Sequence, residues 1–158
     1  MPVPMLNVIN GGRHAYGSGD VQEFMIVPAG FSRFREALQC GAEVYQSLKR
    51  LLEQKGHSTN LGDEGGFAPA LGSNEAAIEI LLNAIEVAGY STVKHCFIAL
   101  DIAATELFQG NQYVMNQGQT RYSKEELIDY YSYLVKSYPI VSIEDGLEED
   151  DWDGWAML

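Results

Sequence analysis

Phe97-Ile98-Ala99-Leu100-Asp101 reads as a strand with no wet side: an unbroken apolar run stopped by an acid. Its counterpart, Ile140-Val141-Ser142-Ile143-Glu144, ends in the same way. Short apolar runs of this kind belong to strands covered on both faces, which occur mainly in parallel sheets under helices. The segments between them carry the helical period. Phe34, Leu38, Gly41, Tyr45, Leu48 and Leu52 recur at steps of three and four, which predicts a helix over Ser32 to Lys55, stopped by Gly56. Ser73 caps a further helix, with Ile78, Leu81, Leu82 and Ile85 on its apolar side and Gly89 at its end. Ser123 and Glu126 form a capping box for another, which carries Leu127, Tyr131 and Leu134 and stops before Pro139. Buried strands alternating with amphipathic helices predict an α/β fold with a parallel sheet.

The chain opens differently, with two strands before any helix. Met5 to Ile9 is an apolar run ended by the turn signal Asn10-Gly11-Gly12, and Glu23 to Pro28 is a second strand stopped by proline. Between them, Arg13 to Asp20 is a polar loop containing Gly17-Ser18-Gly19, a composition that suits a mobile lid as readily as a plain connection. A small hairpin is expected at Gly110-Asn111, with Tyr113 to Met115 as its return strand. Glu148 to Leu158 suggests one more helix. A parallel sheet left at that point has an open edge. The 158 residues also fall short of the ~250 of a typical (β/α)8 barrel. The expectation is an incomplete barrel, with residues 1–158 forming part of a larger catalytic domain.

The chemistry concentrates in Gly62-Asp63-Glu64-Gly65-Gly66-Phe67-Ala68-Pro69, where two adjacent acids sit among three glycines. Glycine lets the backbone approach a ligand closely, and carboxylates in such a loop suit proton transfer. The same run also fits a solvated turn whose Asp caps the next element. Asp101 and Glu144 end their strands at the same relative place, and strand carboxyl ends line the active sites of barrels and open α/β sheets. On neighbouring strands their backbones would stand ~5 Å apart, so the two charges need something positive between them. A hard divalent cation such as Mg2+ meets that need; helix capping or pairing with a basic side chain is the alternative. His14, Gln22 and Glu23 form a third polar group on the opening strands and their loop.

Lys and Arg number 10 against 22 Asp and Glu, a formal net charge of −12 that repels nucleic acid and anionic lipid surfaces. An acidic protein acting on an anion needs local cations to do so. Apolar residues make up 46%, a globular composition, yet no run approaches the ~18 residues of a membrane span. Cys40 and Cys96 lack metal-ligand spacing and are expected to be buried reduced thiols, which fits a cytoplasmic protein.

Several stretches together resemble the enolase family, the glycolytic 2-phosphoglycerate dehydratases. They are Val8 to Ala15, Gln22-Glu23-Phe24-Met25, Gly62 to Pro69, Ala99-Leu100-Asp101, Ser142-Ile143-Glu144-Asp145-Gly146 and Asp150-Asp151-Trp152, with Arg35 to Leu38 and Gly41 to Val44 in support. The resemblance runs in one order along essentially the whole chain. It implies an enolase-type TIM barrel with two antiparallel opening strands, cut before closure, without the small amino-terminal domain. It implies Glu64 as the general acid that protonates the leaving hydroxyl, with Asp63 in support. Neighbouring acids and partial burial would keep such a carboxyl protonated. It further implies Asp101 and Glu144 as two of three carboxylate ligands of Mg2+, and His14, Gln22 and Glu23 as substrate contacts. A lysine base and the third metal carboxylate would lie beyond Leu158, so the chain alone is expected to give no turnover between 2-phosphoglycerate and phosphoenolpyruvate. A homodimer is implied for the full-length protein.

Tyr16-Gly17-Ser18-Gly19 departs from the family's usual lid sequence, Ala70 stands where asparagine is common, and Thr105 to Phe108 is a variant of the stretch after Asp101. None of these touches the expected acid or metal ligands. Two other readings stay open at this point: a catalytically silent enolase-like binding or structural protein, and a related barrel enzyme for another carboxylate.

Overall fold

The computed structural model describes residues 2–15, 17–116 and 118–158; of the lid stretch read from sequence, Tyr16 lies outside the described residues. Strands β1 (Leu6–Asn10) and β2 (Glu23–Val27) open the chain, followed by helices α1 (Phe34–Gln54) and α2 (Asn74–Val87). Then come β3 (Phe97–Asp101), the short strands β4 (Phe108–Gln109), β5 (Gln112–Met115) and β6 (Thr120–Tyr122), helix α3 (Lys124–Ser137), β7 (Ile140–Glu144) and α4 (Trp152–Met157).

The main sheet runs β1-β2-β3-β7 and does not close on itself. β1 and β2 are antiparallel, as expected for the opening pair. β2 and β3 are also antiparallel, and only β3 and β7 run parallel. The expectation of a parallel sheet beyond the opening pair therefore holds for β3–β7 and is corrected for β2–β3. The reason lies in the connections. One helix, α3, carries the chain back to start β7 in the direction of β3, whereas two helices, α1 and α2, separate β2 from β3 and leave the direction reversed.

Side chains alternate across a strand, so each strand feeds two faces. Phe24 and Ile26 of β2, with Ile98 and Leu100 of β3, pack under the helices against Val44, Leu48, Ile78, Leu81, Leu127 and Leu134. The opposite parity, Met25, Val27 and Ala99 with Phe97 beside them, forms a small separate cluster on the other face. Glu23 and Asp101 share that second parity and stand at its end.

The helix caps form as read. Ser73 Oγ accepts from the Ala76 amide at 3.1 Å. Ser123 accepts from the Glu126 amide at 3.3 Å while Glu126 accepts in return from the Ser123 amide at 2.8 Å. The buried stripe of α1 is corrected: Ala37, Cys40, Gly41, Val44, Leu48 and Leu52 are buried, while Phe34 and Leu38 are exposed. Gly41 turns that face inward, because a Cβ there would lie 2.8 Å from Leu6 of β1. The hairpin at Gly110-Asn111 forms with positive φ at both residues, and β6 adds a third strand that the sequence reading did not assign. The last helix is shorter than read, starting at Trp152 with Asp151 as its cap. No described helix is long and apolar enough to cross a membrane.

Candidate active site

Register builds the site. Asn10 of β1 is paired with Glu23 of β2, Glu23 with Asp101 of β3, and Asp101 with Glu144 of β7. Residues paired across a sheet point to the same face with Cβ atoms ~5 Å apart. One amide and three carboxyls are thus lined up across the four strands at one end of the sheet. Asp101 is the most fixed of them: it is buried, and its Oδ2 accepts from Gln22 Nε2 at 3.1 Å while Oδ1 accepts from the Ala103 amide at 3.1 Å. Ala103 and Asp145 take left-handed backbone just past the two strand ends. The Ile102 and Ala104 amides donate to the carbonyls of Glu144 and Asp145 at 3.0 and 2.9 Å, so the two ends are stitched together.

Glu64 reaches this row from a different direction. The stretch Gly62–Phe67 lies along the free edge of β1, with the Asn10 amide donating to Phe67 O at 2.8 Å and the Phe67 amide to Val8 O at 2.9 Å. The Asp63 amide donates to His14 O at 3.1 Å, and Tyr45 of α1 stacks on Phe67 and donates to Gly65 O at 2.8 Å. Held there, one carboxylate oxygen each of Glu64 and Glu23 and a ring nitrogen of His14 all lie within 4.8 Å of one another. His14 Nδ1 is 3.4 Å from Glu23 Oε1. His14, Gln22, Glu23, Glu64, Asp101 and Glu144 are therefore brought to one mouth, with Glu64 and Glu144 exposed at its rim. The expected partial burial of Glu64 is corrected: on its loop beside the edge of β1 the residue is exposed.

The electrostatics follow from the crowding. Burial, then the nearby Glu64 and Asp101 carboxylates, push the Glu23 carboxyl up to about 7, against a smaller pull from His14. Burial, then Asp101 and Asp145, also raise Glu144. A row of acids that resist ionising together is suited to a hard cation with oxygen ligands, and Asp101 and Glu144 offer adjacent carboxylates for it. Nothing else in the row is needed to satisfy Asp101, whose two oxygens are already oriented by Gln22 and Ala103.

Asn10 was read as a turn residue and is instead the last residue of β1, 1% exposed. Its amide oxygen and nitrogen, both amide atoms of Asn7 and His14 Nδ1 are buried without a hydrogen-bond partner among the described residues. The Gly17-Ser18-Gly19 loop is tied to this strand, with Ser18 Oγ 2.9 Å from Asn10 O and 2.7 Å from Ala15 O. It forms one wall of a cavity of about 540 Å3 that includes Gly12, Asp20, Ser73 and Asn116 and none of the clustered acids. Titratable groups converge at the acid mouth and not around this wider hollow, which makes the mouth the candidate site. Compared with known families, residues 1–158 match, along their whole length, the family described as Enolase, C-terminal TIM barrel domain.

Proposed function

Because this chain belongs to the enolase C-terminal TIM barrel family, we propose that it carries the acid side of a Mg2+-dependent hydro-lyase site that interconverts 2-phosphoglycerate and phosphoenolpyruvate. The observation that carries this reading is the alignment of Glu23, Asp101 and Glu144 by strand register, with Glu64 delivered to Glu23 and His14 by a separate loop.

Each residue then has a task. Asp101 and Glu144 would hold Mg2+, and Gln22 orients Asp101 through its Oδ2. Bound Mg2+ supplies positive charge against the substrate carboxylate, without which the adjacent C–H is too weak an acid to lose its proton. Glu64, on the rim, meets the substrate hydroxyl first and donates the proton that lets it leave as water. Glu23, with its carboxyl raised to about 7, is partly protonated near neutral pH and so both donates and accepts hydrogen bonds toward a polar substrate. His14 lies against Glu23 and completes that polar wall. The proposed chemistry also needs a base that removes the carbon-bound proton and a third carboxylate for Mg2+, roles that this reading gives to none of the residues gathered at the acid mouth. A homodimeric full-length form and cytoplasmic residence complete the reading, the latter in keeping with two buried free thiols.

Glu64→Gln in the complete enzyme tests it. Dehydration should fall by about 10²–10⁴-fold, as removal of a general acid does, while Mg2+ affinity measured by calorimetry changes little. Equal loss of both, or full activity, removes Glu64 from the role.

A further inference from the structure

Asn10 is the only residue of the four-strand row that is not an acid, and the work it does is mechanical. We propose that Asn10 is a positioning residue: its side chain is the floor on which Gly62–Phe67 sits, and it sets how far Glu64 stands from Glu23. This rests on the reading of Glu64 as the acid.

Four contacts converge on this one residue. Its amide N–H holds Phe67 O at 2.8 Å, its carbonyl receives Ser18 Oγ at 2.9 Å, and its register partner is Glu23. Its side chain lies directly under two glycines of the loop. A Cβ on Gly66 would stand 2.2 Å from Asn10 Oδ1 and 2.9 Å from Asn7 Oδ1. One on Gly62 would stand 2.7 Å from Asn10 Cβ and 2.6 Å from the His14 carbonyl. Neither glycine has positive φ, so what they supply is closeness and not an unusual backbone. How closely the loop settles on β1 is therefore limited by the Asn10 side chain, with Asn7 Oδ1 and the His14 carbonyl beside it.

The amide chemistry points the same way. An amide buried 1% exposed, with neither atom paired among the described residues, is a poor choice for stability; an apolar side chain of similar shape would avoid its desolvation cost. Its presence at the junction of the lid stretch, the acid loop and the acid row is accounted for by shape and placement.

The contacts define a rescue experiment on the chain as it stands. Gly66→Ala should lift the loop and speed amide hydrogen exchange at Asp63 and Phe67, whose N–H groups anchor it, by tenfold or more. Adding Asn10→Ala removes the atoms at 2.2 and 3.1 Å from that Cβ, leaves Asn7 Oδ1 at 2.9 Å as a side-chain end that can turn aside, and should bring exchange back to within about threefold of wild type. Gly62→Ala must not be rescued by the same change, because the His14 carbonyl stays in place. Asn10→Ser serves as the second partner should Asn10→Ala unfold, as judged by circular dichroism. Additive effects in both pairings, or equal rescue of Gly62→Ala and Gly66→Ala, overturn the proposal. In the complete enzyme, Asn10→Ala should lower kcat in the wild-type background and have no further effect in the Glu64→Gln background; an undiminished effect there overturns action through Glu64. The exchange cycle decides the seat of Asn10 even where an inactive parent defeats the catalytic reading.

Discussion

Asp101 and Glu64 serve one mouth, but they are held by opposite means. Asp101 is the end of a buried strand: its place is fixed by two sheet registers, and both its oxygens are engaged by Gln22 Nε2 and the Ala103 amide. Glu64 hangs from a glycine loop pinned at its base by backbone hydrogen bonds and by Tyr45, with its own side chain exposed. The strand-held acid suits a group that must not move, as a metal ligand must not. The loop-held acid suits one that has to approach a substrate and release a proton to it. Rigidity at the first site comes from the hydrophobic core beneath; at the second it comes from Gly62 and Gly66 and the residues they are pressed against.

The hardest blow to this contrast would be an Asp101 that could be spared. Asp101→Asn keeps the shape and the hydrogen bond to the Ala103 amide while removing the charge, so calorimetry should show Mg2+ affinity falling by about 100-fold or more. Unchanged affinity would move the metal away from the strand ends. Next in size is the base of the loop. Gly62→Ala forces a Cβ to within 2.6 Å of the His14 carbonyl, and urea denaturation should show a loss of about 2 kcal/mol. Gly65 is the informative contrast: it has φ +83° and nothing within 4 Å of its Cβ position, so Gly65→Ala should cost about 1 kcal/mol, through backbone strain alone. If the two cost the same, the loop is not pressed onto the sheet.

A smaller effect is expected from Glu23, and its sign depends on pH. Its folded carboxyl is raised to about 7 from 4.5, so between those values the native state binds more protons than the unfolded chain. Stability is then fullest below about pH 4.5 and declines as pH rises through about 7, where the charge must be carried among other acids. Glu23→Gln abolishes that decline. In metal-free buffer it should exceed wild type by about 1 kcal/mol near pH 8, water at the mouth screening much of the repulsion, and the two should converge near pH 4. A variant less stable than wild type at pH 8 would mean that His14 outweighs burial and the two neighbouring carboxylates.

The strand-held half of the site was legible because its signals are local. An apolar run that stops at an acid gives both the strand and the position of the acid at its end, and Asp101 and Glu144 proved to be register partners. The loop-held half was legible as composition only. That Asp63-Glu64 among glycines would carry chemistry could be read; how high the loop rides could not, because that is set by Asn10, far away in sequence and mistaken for a turn. Its burial comes from Gly62 and Gly66 settling on it, a contact between distant segments with no periodic trace. The crowded position is Glu23, which register sets beside Asp101 and the loop brings close to Glu64. The antiparallel β2–β3 pairing had a sequence signal, two helices in succession, but alternation of strand and helix types suggested the commoner parallel arrangement.

Arg13 gives the finest test of the contrast, since it is next to His14 yet should belong to neither half. Its guanidinium pairs with Glu106, across from the stretch that follows Asp101, and the two side chains are 74% and 36% exposed. An ion pair that wet gains little Coulomb energy, pays side-chain entropy and is screened further by salt, so Arg13→Ala should change stability by less than about 0.5 kcal/mol. It should also leave Mg2+ affinity unaltered, because Glu106 points its charge at Arg13 from outside the acid row and releasing it adds only a screened, distant negative charge. A clear rise in Mg2+ affinity on removing this arginine would show that the mouth feels charges well beyond the four strands. The division between strand-held acids and a loop-held acid would then have to include the field of the whole acidic surface, which at a net charge of −12 is large enough to matter at low ionic strength. Titrating the variant at two salt concentrations separates these cases: a local site keeps its affinity ratio to wild type, and a surface field loses it.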